Sequence, residues 1–139
     1  MKNTGYLLMS VSKKLRYELN HELSQLDITA QQWAVMQQLN HFQQLSHLVT
    51  ANDLAKILDM DKPTISAIIK RLENKKLLYK IKNSQDSRAF DLFLSQSGLE
   101  QCQKALAISD LILTEFTAKL SAEEQNQLNQ VLQKLDSED

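Results

Sequence analysis

Residues 62–73 read K-P-T-I-S-A-I-I-K-R-L-E. Asp61 ahead of them is a good helix N-cap, and Pro63 suits a first turn. A helix is therefore expected from here to about Asn74. With Ile65 at the centre of the buried face, a turn of about 100° per residue brings Ile68, Ile69 and Leu72 close beside it. Pro63, Ala67, Lys70 and Asn74 fall opposite, with Thr64, Ser66 and Arg71 on the shoulders. The outward face is thus small near its start and basic further along. Small residues let a helix approach the floor of a DNA major groove. Thr64 and Ser66 can bond to base edges, and Ala67 can touch a thymine methyl. Lys62 and Pro63 open the helix, where free backbone amides favour a phosphate. Lys70, Arg71, Lys75 and Lys76 suit phosphates, which position a protein without reading sequence. An amphipathic helix with a solvated outer face has the same periodicity, so the surrounding chain must decide.

Upstream, Thr50-Ala-Asn-Asp53 caps a short helix whose apolar side is Leu54, Ala55, Ile57 and Leu58, and Asp59-Met60-Asp61 breaks it. Thr29-Ala-Gln-Gln32 is a capping box before Trp33, Val35, Met36 and Leu39, and His41 to His47 reads as a polar connector. Leu8, Val11, Leu15, Leu19, Leu23 and Leu26 recur at helical steps, which predicts a first helix over about 5–26. Downstream, 77–81 and 89–94 read as two strands around the loop K-N-S-Q-D-S-R at 82–88. Ser95 can cap a helix from about 96 to 118. Ser121-Ala-Glu-Glu124 is a further capping box before Leu128, Val131, Leu132 and Leu135. Four helices, a hairpin and two more helices make a mainly α chain with a small β-hairpin. Two short helices joined by a tight turn and followed by a basic hairpin predict a winged helix-turn-helix.

Bulk properties agree. A chain of 139 residues fits one domain, and two glycines and one proline favour helices over many-turned sheets. The net charge is only −1, but it is unevenly spread. Residues 62–90 sum to +6, residues 1–61 to −1 and residues 91–139 to −6. A basic segment between neutral and acidic flanks is the footprint of a polyanion-binding element. One cysteine, Cys102, cannot form an internal disulfide, so a reducing, cytoplasmic setting is expected. No apolar run reaches membrane-span length, and the N-terminus reads as a helix start, so no membrane partner is expected.

The hairpin loop carries a lone arginine, Arg88, two places after Asp86. An arginine on a wing can enter the minor groove, where negative potential is concentrated. Asp86 would hold its guanidinium or cap the turn, and Lys80 and Lys82 would meet flanking phosphates. A plain salt bridge bracing the hairpin is compatible with the same residues.

The chain resembles the MarR (multiple antibiotic resistance regulator) transcription factors. The matching stretches are I-T-A-Q-Q-W-A-V-M (28–36), A-N-D-L-A-K-I-L (51–58), K-P-T-I-S-A-I-I-K-R-L-E (62–73), D-S-R-A-F-D-L-F-L-S-Q-S-G (86–98) and S-A-E-E-Q-N-Q-L-N-Q-V-L-Q-K-L (121–135). The resemblance implies a single domain with a winged lobe at 28–98 and dimerisation helices in 1–27 and 99–139. It also implies a homodimer in which Leu8, Val11 and Leu15 meet Leu128, Val131, Leu132 and Leu135 of a second copy. Part of each stripe would serve the intrachain core. Two lobes would face half-sites of a pseudo-palindrome, giving a sequence-specific regulator of transcription; it is read here as a repressor that blocks polymerase, and the same dimer on an upstream site would activate instead. A cleft for small, often aromatic or anionic, ligands would release it. Three departures stand out. Lys76 replaces the glycine usual after the recognition helix and must accept a left-handed backbone or reshape the helix end. Ala67 replaces a frequent basic residue. The wing loop has one base rather than several.

Redox-sensing relatives keep a reactive cysteine in the first helix, and zinc-sensing ones a histidine pair after the wing. This chain has neither, so Cys102 is expected to be a structural thiol and no metal or cofactor is expected. No phosphate loop, H-E-x-x-H or nucleophile spacing occurs, which argues against an enzyme. The alternative is a winged-helix module that binds protein instead of DNA. An acidic recognition helix or a wing without arginine would favour it, and the chain has neither feature.

Overall fold

A computed structural model of the chain describes residues 2–137. Met1, Glu138 and Asp139, the ends of the two flanking segments, lie outside the described residues. Helix α1 spans Thr4–Leu23 and is followed by a 3-10 turn at Ser24–Leu26. Next come α2 (Ala30–Gln44), α3 (Ala51–Ile57) and α4 (Lys62–Asn74). Strands β1 (Leu78–Lys82) and β2 (Phe90–Leu94) pair antiparallel, with Leu78 opposite Leu94 and Lys82 opposite Phe90. The chain ends in α5 (Gln96–Phe116) and α6 (Ala122–Asp136).

The three capping boxes form as read. Thr29, Thr50 and Ser121 each accept an amide three residues on, and Gln32, Asp53 and Glu124 each return the bond. The stretch at 41–47 is not a connector throughout. α2 continues to Gln44, because Phe42 packs against the core and holds another turn in place.

The ends of the 3-10 turn, α2, α3 and α4 share a device. Asp27, Ser46, Asp59 and Lys76 all have positive φ, between 51° and 62°, and none is glycine. After α2, α3 and α4 the following amide reaches back to close the last turn: His47 to Phe42, Met60 to Ala55 and Leu77 to Leu72. These are Schellman closures, in which carbonyls that the helix leaves open gain a donor. Short Asp and Ser side chains tolerate the left-handed region better than most. Lys76 has no such excuse, and its conformation is held by Leu77 and Leu78, both buried.

The core lies between α1, α2, α4, the hairpin and α5. Leu23, Val35, Met36, Leu39, Leu54 and Leu72 are fully buried there, with Ile65, Ile68 and Ile69 from the inner face of α4. Trp33 is core, as its periodicity implies. The hairpin is rooted by Leu92 and Leu94 below and by a backbone bond from the Leu92 amide to the Val49 carbonyl (3.0 Å). At the start of α5, Gly98 lies so close to the connection between α4 and β1 that an added Cβ would stand 2.0 Å from the Leu77 carbonyl oxygen.

The two leucine stripes behave differently. In α1, Leu23 is buried and Leu15 and Leu19 are half-buried, while Leu8 and Val11 are exposed. In α6 every residue is exposed, and Leu128, Val131, Leu132 and Leu135 stand 41% to 68% open. The expectation that part of this last stripe serves the intrachain core is therefore wrong. α6 follows the turn at 117–121, and among the described residues no other helix packs extensively against it.

Candidate nucleic-acid interface

α3 and α4 pack across the tight turn at 58–61, and the hairpin stands beside α4. Asp61 caps α4 by accepting the Thr64 amide at 2.8 Å. That backbone bond, with a second from the Thr64 hydroxyl, holds the Asp61 carboxyl below its ordinary value of 3.8. Thr64 is half-buried.

Lys62, Pro63, Ser66, Ala67, Lys70 and Arg71 are all exposed on the outer side of α4. Ser66 and Lys70 line a groove of about 660 Å³ whose far wall is the hairpin, with Lys80, Asp86 and Arg88. Of the residues singled out from sequence, Ser66, Lys70, Lys80, Asp86 and Arg88 are therefore brought to one concavity, whereas Lys62, Pro63, Thr64, Ala67 and Arg71 do not line it. Lys82 and Lys76 are exposed beside it without lining it.

The wing loop is organised by two carboxamide and carboxylate turns. Asn83 Oδ1 accepts the amides of Gln85 and Asp86, both at 2.9 Å, and its Nδ2 donates to buried Asp91 at 2.8 Å. Asp86 Oδ1 accepts the Arg88 amide at 3.0 Å and lies 3.8 Å from the Arg88 Nε. Asp86 therefore both caps the turn and braces the arginine. The Arg88 side chain itself is 93% exposed, so the brace leaves its guanidinium open to a ligand. Lys80 is more committed. Its Nζ is 3.6 Å from Glu73 and lies over the Phe90 ring at 4.9 Å.

Lys75 departs furthest from expectation. It does not line the groove. Its Nζ donates to the Asp27 carbonyl oxygen and to Gln32 Oε1 at 3.3 Å, with the Asp27 carboxylate 3.7 Å away. Sequence reading missed Asn83, Asn52 and Gln32. Asn52 lines the groove from the first turn of α3. It is the polar residue of T-A-N-D that the capping box does not use, and that surplus is the signal that could have found it. Gln32 could not be found, because its second role depends on a residue 43 positions away.

Cys102 is buried, and burial raises its thiol above the usual value, which favours the unreactive form. No group of three or more metal-ligating side chains gathers among the described residues. No helix among them is long and apolar enough to cross a membrane.

The MarR family model matches residues 26–89, which span the helix-turn-helix and the wing loop. The multiple antibiotic resistance protein MarR of Escherichia coli K12 is 28% identical over 132 residues, 94% of this chain and 89% of that protein. The crystal structure of a Staphylococcus aureus MepR–DNA complex superposes with a TM-score of 0.82 at 31% identity, covering 97% of each chain. A mutant E. coli MarR complexed with operator DNA superposes with a TM-score of 0.80 at 28% identity, covering 94% of this chain and 91% of that one. The likeness runs through the winged lobe and both flanking helical segments, and on these grounds the chain belongs to the MarR family of transcription regulators.

Proposed function

We propose that this chain is a cytoplasmic, homodimeric, sequence-specific DNA-binding repressor whose operator is a pseudo-palindrome. The observation that carries the reading is the shared groove. A small, basic helix face and an exposed, braced arginine lie on its two walls. α4 enters the major groove with Ser66 and Ala67 near base edges, and Lys62, Lys70, Arg71, Lys76 and Lys82 meet phosphates. Arg88 reaches the neighbouring minor groove. Relatives of known structure have been seen on DNA, which supports this assignment.

The dimer is formed by 1–27 and 99–139. Its support is the unpartnered apolar surface at Leu8 and Val11 of α1 and along the whole of α6. Four exposed leucine and valine side chains on a solvated helix are poor design for a monomer, and a second copy removes them from water. A small aromatic or anionic ligand then releases the dimer by favouring a lobe spacing that does not match the operator. The release is limited by the ligand's differential affinity for the two spacings.

The test is selection of bound duplexes from a random library, followed by titration of the winner against salt. A pseudo-palindrome with a steep salt slope is the expected result. Weak binding to every duplex with no motif would overturn the reading and favour a protein partner for the winged lobe.

A further inference from the structure

Lys75 is the C-cap of the recognition helix. Asp27, to which it bonds, is the left-handed residue where the chain leaves the α1 segment and enters the lobe. Gln32, its second acceptor, is 4% exposed and also receives the Thr29 amide at 3.3 Å. A separate strut crosses the same elbow, from the Ala30 amide to Asn20 Oδ1 at 2.7 Å. The ammonium thus joins three elements, the end of α4, the elbow and the first turn of α2. The exposed Asp27 carboxylate adds little to this. The carbonyl and the buried amide oxygen matter more, because bonds from a charged donor are stronger and directional.

We infer that Lys75 is a positioning residue rather than a phosphate ligand. It fixes the angle between the recognition helix and α1, and so sets the separation of the two recognition helices in the dimer. The inference rests on the dimeric, DNA-binding reading above. The leverage is geometric. α4 has 13 residues and is roughly 20 Å long. A tilt of about 5° at its Lys75 end moves the other end by nearly 2 Å, and two lobes double that to about the 3.4 Å rise of one base step. An elbow held at one angle therefore selects one half-site spacing.

Two variants test this. Lys75→Met keeps the apolar stem and removes the ammonium. Gln32→Met removes the buried acceptor at a position that DNA cannot reach. Each is placed in an Ala67→Cys background, with a spin label on the recognition helix and Cys102 protected by burial. The inter-label distance in the DNA-free dimer is expected to be narrow in the parent and broad in both variants. On duplexes carrying the selected half-sites at the preferred spacing and at one base pair more or less, unlabelled K75M and Q32M should discriminate spacing about fivefold less than the parent or worse. Their salt slopes should equal the parent's. A K75M slope smaller by about 0.9, with spacing preference intact and Q32M like the parent, would make Lys75 a phosphate ligand and overturn the inference. An unchanged distance distribution in both variants would overturn it without reference to DNA. Failure of the parent to select any motif is a different result, and it counts against the DNA-binding reading itself.

Discussion

Gly98→Ala is a substitution whose sign depends on tertiary structure. Gly98 sits in the first turn of α5 with ordinary helical backbone, and alanine there gains up to about 1 kcal/mol of helix propensity. The surroundings oppose it. A Cβ would lie 2.0 Å from the Leu77 carbonyl oxygen, 3.0 Å from the Leu77 carbonyl carbon and 3.2 Å from Leu94 Cδ2. Backbone cannot rotate away as a side chain can, so α5 and the Leu77 backbone must separate by roughly 1 Å or more to reach even a tight contact. Overpacking of this kind costs about 1–3 kcal/mol. The same movement strains the bonds from the Ser95 amide to Leu77 O (3.0 Å) and from Ser95 Oγ to Lys76 O (2.7 Å), each worth about 1 kcal/mol. After the propensity gain is set against these losses, G98A should be destabilised by about 2–3 kcal/mol. Urea unfolding measures it, at one fixed protein concentration because the stability of the proposed dimer would depend on concentration. The midpoint should fall by about 1 M at an ordinary denaturant slope. An unchanged or higher midpoint would show that helix propensity decides this site and that the contact of α5 with Leu77 yields to a Cβ without cost.

Three further outcomes are expected. Arg88→Ala should leave the unfolding midpoint alone, because the side chain is 93% exposed, and should weaken binding to the selected operator by roughly 1–3 kcal/mol; equal affinity would remove Arg88 from the interface. Lys76→Gly relieves a left-handed lysine at φ 62° and, after the greater freedom of glycine in the unfolded chain is counted, should stabilise the fold by up to about 1 kcal/mol in the same urea assay. Loss of stability there would mean that Lys76 makes contacts beyond its backbone. Asp61 has a depressed folded-state value, so its capping contribution is present above the ordinary 3.8 and is lost as pH falls below it through the folded value. Asp61→Asn keeps a capping side chain, so its stability should fall less steeply than the parent's in that acid window, and parallel acid limbs for the two proteins would refute the assignment.

Much of the winged lobe was legible because its signals are local. Capping boxes at Thr29 and Thr50, like the one at Ser121 outside the lobe, join residues three apart, and the inner face of α4 is a periodicity of 3.6. Both follow from helix geometry before any packing exists. The wing was legible for a related reason, since Asp86 and Arg88 organise their own turn across two residues. Less legible were the ends of helices. Asp27, Ser46, Asp59 and Lys76 reach the left-handed region without glycine, so the usual punctuation is missing at all four.

What the amino-acid order determined by itself, then, is the set of elements, their apolar faces and the clustering of positive charge between 62 and 90. Tertiary structure decided which charges remain available. Arg88 and Lys75 look alike as basic residues near the recognition helix, yet one guanidinium is open and one ammonium is bonded to Asp27 and Gln32. Tertiary structure also decided which leucines are core, leaving Leu23 buried and Leu128 to Leu135 bare. The physical reason is range. Helical periodicity and caps act over three or four residues, where sequence neighbours are spatial neighbours. The partner of a charge or of an apolar stripe is chosen by folding, from residues dozens of positions away in the same chain or, in the proposed dimer, from a second copy of it.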